Sequence, residues 1–276
     1  MDAASIKVGQ SFDDAPQSII GFDVDKQAAL LIEYHAQTAD ELAEREHIGQ
    51  KLLVDLELFK PSAFSTQAAD RNSAWQFRKG LYAKVAKARP TGTTALLEDV
   101  AVPVERLANT CAGLQELFDA NGYEEAVIFG HAKDGNIHFL LTDRFEGEDN
   151  LKRYNSFTDG MVDLILSAEG NLKAEHGTGR AMAPFVRRQY GDELYEVMQE
   201  LKQAIDPRGI LNPGVILDED PTAHISNVKL NPTVEEEIDP CVECGYCEPV
   251  CPSRDLTMTP RQRIVVRRAR AQALLD

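Results

Sequence analysis

Residues 126–141 read AVIFGHAKDGNIHFLL, and this stretch decides the fold class of the chain. Two apolar runs, 126–129 and 137–141, flank the tetrapeptide KDGN at 133–136, which is rich in turn-forming residues. Apolar runs separated by such a turn predict a β-hairpin. The hairpin is the part of the sheet that the sequence indicates most clearly.

Further elements follow outward from the hairpin. Apolar runs at 28–34 and 95–102 predict two more strands. Thr38 and Glu41 have the spacing of a capping box, which predicts that a helix begins there. Other helices are predicted at 75–88, 104–120, 151–168 and 192–205. Strands interleaved with long helices predict an α+β fold, with helices packed on a mixed or antiparallel sheet.

A change of composition near Leu217 predicts a domain boundary. Residues 1–217 are expected to form the main domain, and 218–240 an acidic linker punctuated by prolines. Residues 241–276 would form a small helical segment that includes the basic stretch RQRIVVRRAR at 261–270. That stretch predicts a solvated helix, although its basic face could also dock on an acidic partner or on the acidic body of the chain.

Composition excludes several classes of protein. The 276 residues include 45 acidic and 29 basic side chains, a formal charge of −16. This charge repels phosphate backbones and anionic membranes, which argues against nucleic-acid binding. No apolar stretch approaches the roughly 18 residues of a membrane span, and residues 1–10 lack the pattern of a signal peptide. We therefore expect a cytoplasmic protein, which could also be peripheral to the membrane through its electron acceptor.

Four of the five cysteines form the run Cys241-x-x-Cys244-x-x-Cys247-x-x-x-Cys251-Pro252. This spacing is typical of a loop that wraps a 4Fe-4S cluster, and it predicts one-electron transfer. Zinc is the main competing ligand, although zinc sites normally use two separated pairs. In proteins with two clusters the fourth cysteine of such a run serves the other cluster.

The hairpin places His131 and His138 at its mouth, where two imidazoles could bind one divalent ion. Two histidines beside a turn are also common as surface or core residues. Glu175 is a candidate third ligand, and a set of two histidines and one carboxylate leaves positions open for a substrate oxygen. The adjacent His176 could act as a base.

Two segments rich in glycine and turn-forming residues complete the candidate site. Gly177 and Gly179, in AEHGTGR at 174–180, would let the backbone approach a flat cofactor. A helix end with a glycine-rich turn explains the same residues without a site. DPRGILNPG at 206–214 reads as a loop.

GHAKDGNIH, AEHGTGR and DPRGILNPG, in this order, resemble the C-terminal domain of FAD-linked oxidases. The resemblance is to the D-lactate, glycolate and D-2-hydroxyglutarate dehydrogenase group of the vanillyl-alcohol-oxidase superfamily. The cysteine run is similar to that of bacterial members fused to a ferredoxin-type 4Fe-4S domain. The resemblance covers about residues 28–260.

The resemblance implies roles for residues that match the family motifs. His131, His138 and Glu175 would bind a divalent Zn, Mn or Fe ion, and His176 would be the catalytic base. Arg78, in WQFR at 75–78, would bind the substrate carboxylate. The resemblance also places three residues near the flavin: Asn136, Gly177 and Asn212.

Two departures concern the substrate. Relatives that act on hydroxyglutarate carry an asparagine where Leu140 stands and a lysine where Leu97 stands. These leucines weaken the case for a substrate with a second carboxylate and make D-lactate or glycolate credible. The resemblance also implies an FAD-binding domain that this sequence does not contain, so we expect a fragment that is inactive without it.

The resulting hypothesis is part of an FAD- and iron–sulfur-dependent D-2-hydroxyacid dehydrogenase. It would oxidise a 2-hydroxy acid to a 2-oxo acid and pass electrons through the cluster to an outside acceptor. One alternative is a non-catalytic electron-transfer or scaffold subunit of a flavin oxidase complex. Another is a glycolate oxidase subunit.

Overall fold

The structure, a computed structural model, describes residues 1–62 and 64–274. Its helices are α1 (Ala3–Gln10), α2 (Ala39–Leu53), α3 (Ala68–Lys87), α4 (Leu107–Ala120), α5 (Glu148–Ser167), α6 (Val186–Tyr190), α7 (Asp192–Ile205) and α8 (Pro260–Gln272). Its strands are β1 (Thr94–Ala101), β2 (Val127–His131) and β3 (Asn136–Asp143). The chain divides into two compact units, Met1–Val85 and Ala86–Asp276.

The regular secondary structure in the described residues of the first unit is helical. Thr38 caps α2 by accepting a hydrogen bond from the Glu41 amide at 3.2 Å, which confirms the helix start predicted from the capping pattern. The predicted strand at 28–34 is wrong, because these residues belong to no strand. They are anchored instead by side-chain and terminal contacts, and Trp75 Nε1 donates to Glu33 at 3.0 Å. An apolar run alone does not form a strand unless a neighbouring strand supplies hydrogen bonds.

The second unit is built on a three-stranded antiparallel sheet with the order β1-β3-β2. The predicted hairpin is confirmed as β2 and β3, and the predicted strand at 95–102 is confirmed as β1. Together with the surrounding helices, this sheet confirms the α+β fold class. Within the described residues, no helix is long and apolar enough to cross a lipid bilayer.

One face of the sheet forms the core with α4 and α5. Phe118 of α4 stacks on Phe157 of α5 with ring centroids 5.5 Å apart, and Phe139 of β3 lies 5.7 Å from both rings. Alternation along β3 places Ile137, Phe139 and Leu141 on this face, so His138 and Leu140 lie on the other. The core therefore fixes which side chains of β3 are presented to the candidate site.

Residues expected to form an acidic linker pack on this core. Ile225, Val228 and Leu230 contact it as partly buried side chains. His224 is buried, and its Nε2 lies 2.9 Å from Asn155 Oδ1. The predicted domain boundaries stay a prediction, but the segment between them is not detached from the core.

The basic helix is confirmed as α8, whereas its predicted solvation is wrong in part. Arg267 forms an ion pair with Glu235, and Arg261 lies 3.1 Å from Glu248. Arg268 is buried and contacts Glu243. The helix therefore docks on acidic residues of its own chain, and an ion pair and carbonyl acceptors compensate the burial of the Arg268 guanidinium.

The loop 206–214 is folded around a carboxylate. Asp206 accepts hydrogen bonds from Lys202 Nζ at 2.7 Å and from the amides of Leu211 at 2.8 Å and Ile210 at 3.1 Å. Lys202 first, and then the backbone amides, lower the pKa of Asp206 from 3.8 to about 2.

We predict that Asp206→Asn loosens this loop at neutral pH. A depressed folded-state pKa means that the carboxylate stabilises the loop above its unfolded pKa and that this stabilisation is lost as the pH falls from 3.8 towards 2. Hydrogen exchange should be faster at Ile210 and Leu211 in the variant at pH 6, and the difference should shrink at pH 2. Glu200→Gln, on the exposed side of α7, is the control. Equal exchange in Asp206→Asn and wild type at pH 6 would contradict the prediction.

Candidate active site

The hairpin brings the two predicted histidines together. His131 ends β2 and His138 lies near the start of β3, and their ring centroids are 5.3 Å apart. Close strand pairing requires Gly130, where a Cβ atom would lie 2.2 Å from the Asn136 carbonyl oxygen. Gly135 closes the turn at φ +65°.

Glu175 lies between the two histidines. Its Oε1 is 2.9 Å from His138 Nε2 and 3.3 Å from His131 Nε2. These three ligand atoms lie within 4.8 Å of one another. His138 is buried, whereas the side chains of His131 and Glu175 are 46% and 50% exposed. The cluster therefore has one buried ligand and two ligands that are open to solvent.

Asp99 holds the backbone next to the candidate ligands in place, a role that was not predicted from the sequence. It lies opposite His138 in the β1–β3 register and is fully buried. Its Oδ2 accepts hydrogen bonds from the amides of Glu175 at 2.7 Å, His176 at 2.8 Å and Ala174 at 3.2 Å. Although burial acts to raise the pKa of Asp99, these amides and Asn136 keep it below its usual value. The carboxylate thus holds the segment 174–176 in place.

Neighbouring polar groups support Asp99. Asn136 donates from Nδ2 to Asp99 Oδ1 at 2.6 Å, so its amide holds the carboxylate, while Asn136 Oδ1 is buried without a hydrogen bond. Lys173 forms an ion pair with the buried Glu98. Two adjacent acidic residues within the apolar run LLEDVAV at 96–102 were the sequence signal for this network. Such residues in a buried strand need partners, and the partners are at 173–176.

His176 stands beside the candidate ligands. Its ring stacks on His138 with centroids 5.0 Å apart and planes 3° from parallel. Its Nε2 lies 3.9 Å from Glu175 Oε1, and its side chain is 43% exposed. The predicted base is therefore next to the cluster and accessible to a substrate.

The charge state of His138 suits a ligand. Burial, together with neighbouring His176 and His131, lowers the pKa of His138, while Asp99 and Glu175 act in the opposite direction. A lowered pKa favours the neutral imidazole, which is the form that binds a metal. Its Nδ1 lies 3.2 Å from Asp99 Oδ1 but makes no hydrogen bond in this geometry.

A second group, Asp99, His138 and His176, also has ligand atoms within 4.8 Å of one another. This group is less suited to an ion, because both oxygens of Asp99 already accept hydrogen bonds. His131, His138 and Glu175 are the better donor set.

The segment 174–180 contacts the end of the loop 206–214, since a Cβ atom at Gly214 would lie 3.1 Å from Arg180 Nη1. The Ile216 amide donates to the Gly179 carbonyl oxygen at 3.1 Å. Gly177 has φ +77° and Asn212 has φ +44°, so both have a left-handed backbone conformation. A Cβ atom at Gly177 or Gly179 would meet no atom within 4 Å, so the surface there is open. Arg78, the remaining predicted residue, lies on α3 in the first unit.

The cysteine run forms a series of turns, with positive φ at Glu243 (58°) and Gly245 (82°). The Glu243 amide lies 3.4 Å from Cys241 Sγ and donates to it. Ser253 Oγ is 3.4 Å from Cys251 Sγ, and hydrogen bonds from Ser253 lower the pKa of Cys251. In the part of the chain that the structure describes, no three cysteine sulfurs lie within 4.8 Å of one another. A cubane cluster holds its ligand sulfurs farther apart than a single ion does.

Comparisons with known proteins identify the family of this chain. Residues 1–216 match the family described as FAD linked oxidases, C-terminal domain. Mitochondrial D-lactate dehydrogenase (cytochrome) of Kluyveromyces lactis is 32% identical over 164 residues, 58% of this chain and 28% of the relative. Glycolate oxidase subunit GlcD of Bacillus subtilis is 30% identical over 206 residues, 73% of this chain and 42% of the relative.

A third relative is mitochondrial D-2-hydroxyglutarate dehydrogenase of Arabidopsis thaliana, 28% identical over 185 residues, which cover 65% of this chain and 31% of the relative. The chain thus spans well under half the length of these relatives. Because the family match covers residues 1–216 of 276, the chain belongs to the FAD-linked oxidases through their C-terminal domain.

Proposed function

We propose that this chain supplies the substrate- and metal-binding part of an FAD-dependent 2-hydroxyacid dehydrogenase. The convergence of His131, His138 and Glu175 beside His176 carries the proposal. The names of the relatives support it, because they are dehydrogenases or oxidase subunits for D-lactate, glycolate and D-2-hydroxyglutarate. FAD would be bound mainly by the part of the relatives' length that this chain does not span.

The donor set fits a divalent ion. Two imidazole nitrogens and one carboxylate oxygen suit zinc, manganese or iron and leave coordination positions open. His131 and Glu175 are half exposed, so a small substrate can reach those positions. A bound ion would supply positive charge that stabilises negative charge on the substrate hydroxyl oxygen.

His176 would take the proton of the substrate hydroxyl group. FAD, when bound, would supply a two-electron acceptor for the C2 hydrogen as hydride, so the 2-hydroxy acid would lose one proton and one hydride and become a 2-oxo acid. Arg78 would bind the substrate carboxylate through its planar guanidinium. Gly177 and Asn212 would border the flavin, and Asn136 would act near it by holding Asp99.

The substrate we favour has a single carboxylate, as D-lactate and glycolate do. By the family resemblance, Leu97 and Leu140 stand where relatives acting on hydroxyglutarate would carry polar residues, and the two leucines lie directly opposite each other in the β1–β3 register. Both are two residues from a site residue, Asp99 or His138, and so share the site face of the sheet. An apolar pair there offers no partner for a second carboxylate, whose burial without one is costly.

The cysteine run would bind a 4Fe-4S cluster that divides the electron pair of reduced flavin into single electrons for an outside acceptor. Hydrogen bonds to Cys241 Sγ and Cys251 Sγ support this proposal, because such bonds stabilise the thiolates that ligate a cluster. A scaffold subunit would need no divalent ion at the histidines, so metal content separates the two alternatives.

We predict that the two metal sites can be removed independently. His131→Ala/His138→Ala should reduce the divalent ion from about one per chain to almost none, because two of its three protein ligands are lost. Cys244→Ser/Cys247→Ser should remove the iron of the cluster and leave the divalent ion at the histidines. Elemental analysis of anaerobically purified chain measures both, and each double variant is the control for the other. A histidine variant with unchanged metal content would favour the scaffold alternative.

We predict that His176→Gln lowers turnover about 10²–10⁴-fold once the chain is joined to its FAD-binding domain, because a general base contributes that much. The variant should keep its divalent ion, since His176 is not in the better donor set. Stopped-flow reduction of FAD by D-lactate measures the hydride step. Near-normal flavin reduction would exclude His176 as the base.

A further inference from the structure

Two buried arginines converge on the start of the cysteine run. Arg89, 9% exposed, donates from Nη2 to the carbonyl oxygens of Asp239 at 3.0 Å and Cys241 at 3.3 Å. Arg268, 5% exposed, donates from Nη2 to the same two oxygens at 3.3 Å and 2.9 Å. The peptide carbonyl of the first cysteine is thus shared by two guanidinium groups.

Arg89 ties this contact to the part of the chain that matches the oxidase family. Its Nε donates to Thr93 O and its Nη1 to Ala86 O, both at 2.8 Å. These bonds fix the guanidinium immediately before β1, the strand that carries Asp99.

Arg268 reaches the same strand from α8. Its Nη1 lies 3.3 Å from Asn231 Oδ1, and Asn231 Nδ2 donates to Thr94 Oγ1 at 3.0 Å. Thr94 is the first residue of β1 and in turn donates to Lys229 O at 3.0 Å. Two separate sets of bonds therefore connect Cys241 to the beginning of β1.

The arginines also set the charge at this point. A guanidinium stays protonated at any working pH, so burial does not neutralise it. Glu243 lies 3.2 Å from Arg268 Nη1 and also pairs with Lys229, which offsets part of the charge. With Arg89 and Lys229 included, the four side chains carry a net positive charge beside the first cysteine.

We propose that Arg89 and Arg268 are positioning residues for the iron–sulfur cluster: they dock the cysteine run on the oxidase domain and raise the reduction potential of the cluster. The inference rests on the proposed cluster. Reduction adds one negative charge, and positive charge held nearby in a region of low dielectric stabilises the reduced form. Because of this docking, the cysteine run has a fixed position relative to β1 and does not hang on a flexible linker.

The test is the midpoint potential of the cluster in the 276-residue chain, after anaerobic reconstitution with ferrous iron and sulfide. Dithionite supplies the electron, and electron paramagnetic resonance follows the reduced cluster. Arg268→Gln and Arg89→Gln should each shift the potential to more negative values. Arg268→Lys keeps the charge, so its midpoint potential should lie nearer to that of wild type. Arg267→Gln removes the same charge from the neighbouring position of α8, where Arg267 pairs with Glu235, and is the matched control.

The outcomes separate the two proposals. A wild-type chain that takes up no cluster overturns the cluster assignment and, with it, this inference. A wild-type cluster whose potential is the same in Arg268→Gln, Arg89→Gln and Arg267→Gln overturns the inference alone. If Arg268→Gln does not fold, the difference in midpoint potential between Arg89→Gln and Arg267→Gln decides whether the inference holds.

Discussion

The site depends on one buried carboxylate. Asp99 is inaccessible to solvent, yet its pKa remains low because backbone amides and Asn136 donate to both of its oxygens. Burying a carboxylate costs several kcal/mol. Hydrogen bonds to a charged group contribute about 1.5–3 kcal/mol each, so this set is large enough to offset the cost. The same bonds fix the backbone of Glu175 and His176, which no regular secondary structure holds.

The sheet determines where this carboxylate lies. The register places Asp99 opposite His138, and the close approach at Gly130 brings His131 to the same end of the hairpin. The opposite face of the sheet is filled by the aromatic core, so slipping a strand by one residue would bury the ligands and expose the core. Fold and site are therefore set by the same strand pairing.

Local patterns predicted much of this arrangement, and non-local contacts explain what they missed. The hairpin at 126–141 and the helix start at Thr38 depend on neighbouring residues and were predicted from sequence. The strand expected at 28–34 was wrong because a strand requires a partner that periodicity does not reveal. Asp99 was missed as the organiser because its amide partners lie more than seventy residues away in sequence. The roles of Glu175 and His176 were suggested by residue type and resemblance and stay predictions.

The most direct test of this account is a calorimetric titration of Mn²⁺ into wild type, Asp99→Asn and Asp134→Asn. Asp99→Asn leaves all three candidate ligands in place but removes the charge that holds the backbone of Glu175, and we expect about 10–100-fold weaker binding. Asp134 lies exposed in the turn of the same hairpin, so Asp134→Asn should bind like wild type. Circular dichroism should show that both variants are folded. Unchanged Mn²⁺ affinity in a folded Asp99→Asn variant would contradict the central claim.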